Sequence, residues 1–264
     1  MQEYIKTDQQ LHWLSQVLTK TNRAFVPAKE DDSHTNLSFD SIGERLFGRW
    51  INGPEGEVML TLNLQKRAFE WLNEKQSILD EVAVPEKSMK QLEKAVSRYP
   101  ESLKMKTDTF FTPLHFEISA YSIESIGKDD LSEKGLQQWM FYRKLANEAC
   151  LEMLAYLQKE SEIRIWPHHF DTGIYAGVNR YLELGFGLAM IDSMIGLPYF
   201  YLAGYGEGVN GSGQLLPGLS AGRWETGGPW KGAVLPLDRL QGKTYTEMLD
   251  DIRSFIREVS DWYM

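Results

Sequence analysis

Residues 165–175 read IWPHHFDTGIY, and they lie where a long helical pattern gives way to strand patterns. The segment places His168, His169 and Asp171 directly after a proline. In an extended strand, alternate side chains point to opposite faces. His169 and Asp171 would therefore share one face, with His168 on the other. This segment is the first place at which we expect a functional site.

The pattern before this segment predicts a helix over 130–159. It opens with Asp130 and its capping partner Glu133. Large and small apolar residues then recur at alternating spacings of three and four, as one buried helix face requires: Trp139, Tyr142, Ala146, Ala149, Met153 and Tyr156. The segment is followed by strand patterns at 163–176, 181–191, 198–205 and 230–237, and by a helix that Thr244 and Glu247 open.

The first half of the chain has a similar order of patterns. A helix is predicted to begin at Thr7, with Gln10 as its capping partner. Strands are predicted within 35–72, where residues 58–64 alternate like a half-buried strand, and 110–118 is a further candidate. A capping box then opens a helix at Ser88 with Gln91, which Pro100 ends.

These patterns predict an α+β fold with a mainly antiparallel sheet and helices packed on one face. We expect residues 1–264 to form a single compact unit. The order of elements also allows two similar β-meander-plus-helix halves, 1–128 and 160–264, joined by the helix over 130–159. The similarity lies in the pattern alone, without a repeated residue string.

Composition and charge exclude several classes of function. The 28 basic and 37 acidic residues give a net charge of −9, which disfavours binding to nucleic acid. Cys150 is the only cysteine, so no intrachain disulfide can form. No run of apolar residues is long enough to span a membrane, and residues 1–8 contain no apolar segment that would predict a signal peptide. We therefore expect a cytoplasmic protein that does not act at a membrane.

Three interpretations of the two histidines are open. His169 and Asp171 are metal-ligand types, and His115 with Glu117 shares one strand face and would supply further ligands. No spaced metal motif such as H-E-x-x-H supports this. The same side chains would also suit a polar ligand or a general base, or the histidines are structural. No cofactor is identified.

A glycine-rich segment at 204–232 predicts a loop that closes over a site as a lid. Arg223 and Glu225 lie within it and are candidate ligand-binding residues. In the preceding strand pattern, Gly185 and Gly187 leave one face nearly bare. Either a ligand or neighbouring rings (Tyr175, Tyr199 and Tyr201) would fill that face.

On the first predicted helix, His12, Gln16 and Lys20 are four residues apart and form one ridge, by itself typical of a solvent-exposed face. The chain contains the pattern Leu11-His12-x-x-x-Gln16-Val17-x-x-Lys20, followed by Pro27, His34, Phe170-Asp171 and Pro198-Tyr199-Phe200-Tyr201. This order of residues resembles the bacterial domain-of-unknown-function family 5996. The chain departs from that pattern at Thr19 and at His168-His169. The resemblance brings no known activity, but it implies that the ridge and His34 belong to a site. A lysine beside imidazoles would suit an anionic ligand.

We therefore expect a cytoplasmic protein that binds a small polar or anionic molecule in a cleft near Asp171. The first alternative is an enzyme that uses His169 and Asp171 as a general base or a metal site. The second is a protein-interaction module built on the aromatic residues. The sequence does not decide whether the chain is an enzyme, nor its oligomeric state.

Overall fold

The computed structural model describes residues 1–207 and 215–264. The fold is α+β, as predicted, with two antiparallel sheets. The chain divides into two compact units. The N-terminal unit comprises Gln2–Phe141 and Arg164–Phe170, and the C-terminal unit comprises Met1, Tyr142–Ile163 and Asp171–Met264. That the chain forms one compact unit with two similar halves stays a prediction.

The strands of the N-terminal unit are β1 (Ser38–Asp40), β2 (Arg45–Phe47), β3 (Ile51–Gly53), β4 (Gly56–Asn63), β5 (Ala68–Asn73), β6 (Ile78–Ala83) and the short β7 (Arg164–Ile165). The sheet order is β1-β2-β4-β5-β6, with β3 also paired to β4. The strand predicted at 58–64 is confirmed as β4, but it is not half-buried, because Met59, Thr61 and Asn63 are buried as well as their apolar neighbours. Glu70 accepts hydrogen bonds from the two polar side chains among these residues. Its backbone carbonyl accepts from Thr61, and its carboxylate accepts from Asn63.

The helices of this unit are α1 (Gln2–Phe25), α2 (Met89–Val96), α3 (Arg98–Ser102) and the first residues of α4 (Glu133–Leu157). The predicted capping box of Ser88 and Gln91 is confirmed. Pro100 does not end a helix as predicted. It lies inside α3, where the first turn of a helix tolerates proline. The candidate strand at 110–118 is wrong, since these residues form turns and irregular structure.

The C-terminal unit contains β8 (Thr172–Asn179), β9 (Leu182–Ala189), β10 (Tyr199–Tyr205), β11 (Arg223–Glu225) and β12 (Gly232–Pro236), in the order β11-β12-β10-β9-β8. The remainder of α4 and α5 (Tyr245–Tyr263) complete it. Three of its predicted strands are confirmed in β9, β10 and β12. None of the helices in the described ranges combines the length and apolarity that crossing a bilayer requires.

The capping box that opens α5 is also confirmed. Thr244 Oγ1 accepts from the backbone N–H of Glu247, and the Glu247 carboxylate accepts from the N–H of Thr244 at 2.7 Å. We expect Thr244→Ala to lower the free energy of unfolding by about 1 kcal/mol, because it leaves N-terminal helix donors unpaired. Urea denaturation checks this. Thr244→Ser keeps the hydroxyl and should retain most of the stability; an equal loss in both variants would contradict this assignment.

Candidate functional site

The 165–175 segment is not a continuous strand. After β7, Pro167, His168 and His169 form a turn, closed by hydrogen bonds from the N–H groups of His169 and Phe170 to the carbonyl of Trp166. Phe170 has a φ of 56°, in the left-handed region, and β8 starts at Thr172. The prediction of a strand over 163–176 is therefore wrong at its centre, and the alternation argument for His168, His169 and Asp171 does not apply.

The turn is attached to α1 by a buried polar cluster in the N-terminal unit. The carbonyl of Pro167 accepts from His12 Nε2 at 2.9 Å and from Gln16 Nε2 at 3.1 Å. A carbonyl can only accept, so Nε2 of His12 carries a proton, and Nδ1 forms a hydrogen bond with the hydroxyl of Tyr121, 2.7 Å away. The imidazole also stacks on Phe170, with ring centroids 5.1 Å apart. His12 and Gln16 are thus buried rather than on a solvent-exposed face.

Tyr121 remains a hydrogen-bond donor at all ordinary pH values. Burial, with a smaller contribution from the charge of Asp8, raises the pKa of Tyr121 to about 12. The neutral phenol therefore stays available as a hydrogen-bond partner of the His12 ring. This arrangement fixes the turn on the helix, and it gives His12 a structural role in positioning residues 167–170.

Other predicted site residues of this unit lie in separate places. Lys20 pairs with the carboxylate of Glu93 at 2.6 Å. His34 Nδ1 accepts from the backbone N–H of Lys29, and Asp32 lies between it and His115, whose Nε2 is 3.2 Å from the Asp32 carboxylate. Neither Lys20 nor His34 shares the contacts of His12 and Gln16.

The two adjacent histidines of the turn are exposed, with their ring centroids 4.3 Å apart. The ring of His168 also lies beside Phe116. Glu117 is exposed. Within the described ranges, no three His, Cys, Asp or Glu side chains are grouped so that they could hold a metal ion.

Asp171 belongs to the C-terminal unit and lies in a second buried polar cluster. It is 8% exposed, and it accepts from the hydroxyl of Tyr201 at 2.6 Å. Desolvation, followed by the charge of Asp171, raises the pKa of Tyr201 well above its usual value, so the phenol stays a donor. Beside them, the fully buried Arg143 of α4 donates to Thr172 Oγ1 at 2.8 Å. Arg143 was not predicted, because it adjoins the apolar stripe of α4.

Rings fill the predicted bare face of β9. A Cβ at Gly185 would lie 3.0 Å from the ring of Tyr205 and 3.5 Å from that of Tyr175. At Gly187 it would lie 3.0 Å from the hydroxyl of Tyr201. Tyr199, which we also expected there, instead donates to Asp192 at 2.6 Å. The glycines therefore admit tyrosine rings that link three neighbouring strands.

A third arrangement is a basic pocket near the predicted residue Arg223. It has a volume of about 360 Å³ and is lined by Ser220, Ala221, Gly222, Arg223, Leu235, Pro236, Arg239, Lys243 and Asp251. We call it the basic pocket. Arg223 lies on strand β11 and Arg239 on the 3-10 helix Leu237–Leu240. Lys243 lies just before α5, and Asp251 lies within the first two turns of that helix. Lys243 pairs with Asp251. Glu225 lies 3.8 Å from Arg223 Nε, outside the lining.

At one wall of this pocket the backbone packs closely against β12 and α5. Gly222 has a φ of 84°, and a Cβ there would lie 2.5 Å from the carbonyl of Val234 and 3.0 Å from the ring of Phe255. Ser220 is fixed by Glu258, which accepts from its N–H and its hydroxyl at 2.8 Å and 2.6 Å. The lid predicted in the glycine-rich segment at 204–232 lies partly outside the described residues, which omit 208–214.

No protein-family model matches this chain, and neither a curated protein nor a solved structure does. The resemblance to family 5996 stays a prediction. The functional assignment therefore depends on the geometry of these three arrangements.

Proposed function

We propose that the protein is a cytoplasmic protein that binds a small anionic molecule in the basic pocket. The observation that carries the proposal is the convergence of Arg223, Arg239 and Lys243 on one concave surface with Asp251 as the only carboxylate among the lining residues. The cytoplasmic location depends on the sequence prediction alone. The proposed ligand is of the class expected from the sequence. The proposed binding site, however, lies at Arg223 and not near Asp171.

The cations of the basic pocket differ in whether they have an ion-pair partner within the protein. Lys243 is held by Asp251. Arg239 is exposed and makes no hydrogen bond or ion pair with any described residue, so its guanidinium is available to a ligand. A guanidinium presents parallel N–H donors that match the two oxygens of a carboxylate or phosphate. This combination favours an anion with at least two acceptor oxygens.

The volume of the basic pocket limits the size of that anion. At about 360 Å³ it is at the lower end of the range for small-molecule sites. A phosphate, or a carboxylate attached to a small carbon skeleton, would fit this range. A long polyanion would extend beyond it.

The enzyme alternative from the sequence has weaker support. The general-base hypothesis needs His169 beside Asp171, yet His169 is exposed in a turn and Asp171 is buried against Tyr201. The interaction-module hypothesis needs an exposed aromatic surface. Both stay predictions.

Arg239→Ala should weaken anion binding at least about tenfold, the loss expected when one charge-assisted contact is removed. The measurement is isothermal titration of the full chain with inorganic phosphate and with citrate, at low and at physiological salt. Because Arg239 has no partner among the described residues, the variant should unfold at the same urea concentration as the original protein.

Arg257→Ala is the matched control. Arg257 is exposed on α5 and lines a different groove. Its substitution therefore removes the same charge without altering the basic pocket. Equal affinity in Arg239→Ala and the unmodified chain would overturn the proposal. So would an equal loss in the two variants, since that would reduce the effect to overall charge.

A further inference from the structure

A local basic surface occurs in this acidic chain. Residues 87–106 contain six Lys or Arg residues and two Glu residues, whereas the whole chain has a net charge of −9. Lys90, Lys94 and Arg98 are four residues apart along α2 and α3, which places them on one side. All three are exposed, and none has a side-chain partner among the described residues. No sequence pattern predicted this surface.

These cations border a groove within the N-terminal unit. It has a volume of about 530 Å³ and is lined by Lys90, Glu93, Lys94, Ser97, Arg98, Glu101 and Phe111. We call it the α2 groove. Glu93 is buried and neutralised by Lys20 at 2.6 Å. Glu101 is then the only lining carboxylate without a cation partner, so the groove as a whole attracts anions.

An exposed aromatic ring forms part of the same groove. Phe111 is 46% exposed, and its ring packs edge-on against the buried Phe110. The loop that carries it is fixed by Arg23, whose guanidinium donates to the carbonyls of Thr109, Thr112 and Pro113. The ring is thus held at the surface by a defined loop. A fixed apolar ring next to cations is suited to a ligand with both apolar and acidic groups.

We infer that the α2 groove binds an acidic peptide segment of a partner protein, with an apolar side chain placed against Phe111. Carboxylates spaced along the peptide would meet Lys90, Lys94 and Arg98. A nucleic acid or an anionic membrane would bring a large negative charge towards a chain of net charge −9, which opposes their approach. A short peptide brings few charges and offers the apolar group that the ring requires.

The test is fluorescence anisotropy of the full chain with a labelled ten-residue peptide in which three Glu residues and one central Phe are set among Gly and Ser. We expect saturable binding that weakens as salt is raised, because exposed charges are screened. Lys94→Glu should weaken binding at least about tenfold, since it replaces an attraction with a repulsion. Phe111→Ala should weaken binding of this peptide but not of the same peptide with Gly in place of Phe.

Lys75→Glu is the matched control, because Lys75 is exposed in the β5–β6 turn and the charge change is the same. Arg239→Ala, which tests the basic pocket, should leave peptide binding unchanged. Absence of peptide binding would overturn the inference, and so would an equal loss in Lys94→Glu and Lys75→Glu. Tighter binding of a single-stranded oligonucleotide or of anionic vesicles, lost in Lys94→Glu, would replace the peptide with that partner.

Discussion

Gly187→Ala is expected to lower the free energy of unfolding of the C-terminal unit by about 3 kcal/mol, at the upper end of the range for overpacking. A Cβ at this position would lie 2.4 Å from the carbonyl oxygen of Thr172 and 2.8 Å from the Cα of Gly173. Both are backbone atoms of β8, so they cannot turn aside as a side chain could. The strands β8 and β9 would have to separate where Gly187 pairs with Gly173.

The same substitution should disturb the cluster around Asp171. The hydroxyl of Tyr201 lies 3.0 Å from the added Cβ and donates to Asp171 at 2.6 Å. Urea denaturation followed by tryptophan fluorescence measures the loss of stability. Gly177→Ala, on the neighbouring strand with open space around its Cβ, is the control and should change stability by less than about 0.5 kcal/mol. Equal stability in the two variants would show that the strands are not closely apposed at Gly187.

Local signals predicted the helices that begin with reciprocal capping. Ser88 with Gln91 and Thr244 with Glu247 act within four residues, so sequence suffices to place them. The Thr7 and Gln10 pattern failed because α1 begins at Gln2, so that both residues lie inside the helix. Gln10 makes tertiary contacts instead of a cap: its amide donates to Asp130 and its oxygen accepts from the N–H of Leu131.

The turn at 167–169 shows a second limit of pattern-based prediction. Apolar alternation predicted one strand over 163–176, but the turn is held by a carbonyl that binds His12 and Gln16 from the start of the chain. These partners lie about 150 residues away from the turn in the sequence, so the sequence around the turn carries no signal of them. Sequence spacing placed His12 and Gln16 on one ridge correctly. It could not show that this ridge is buried.

Arg223 is the only lining residue of the basic pocket that the sequence predicted as a site residue. Arg223 was identified because it lies in a glycine-rich segment beside tryptophan, whereas Arg239, Lys243 and Asp251 belong to no sequence pattern that indicated a site. Their convergence depends on how β11, β12 and the start of α5 come together in the fold. The conformation of Gly222, which the sequence does not disclose, is part of that arrangement.

Glu70→Gln is expected to lower the free energy of unfolding by about 2 to 3 kcal/mol at pH 7, because hydrogen bonds to a charged group are lost. The Glu70 side chain has no solvent exposure, and it lies 2.9 Å from Arg45 Nε and 2.8 Å from Lys66 Nζ. Burial by itself raises the pKa of Glu70, but the hydrogen bonds from Lys66, Arg45 and Asn63 outweigh it and lower the pKa below 4.5. The glutamine amide would direct a donor towards these donors.

The depressed pKa of Glu70 also sets the pH dependence. A carboxylate with a lower pKa in the folded state contributes its stability above the unfolded value of about 4.5, and loses it as pH falls through the folded value. Urea denaturation from pH 7 to pH 3 should therefore show the original protein and Glu70→Gln converging at low pH. Glu81→Gln is the control, because Glu81 also pairs with Lys66 at 2.9 Å but is 45% exposed. It should cost less than about 0.5 kcal/mol, as exposed ion pairs do. A constant difference between the protein and Glu70→Gln across the pH range would show that the Glu70 charge does not stabilise the fold.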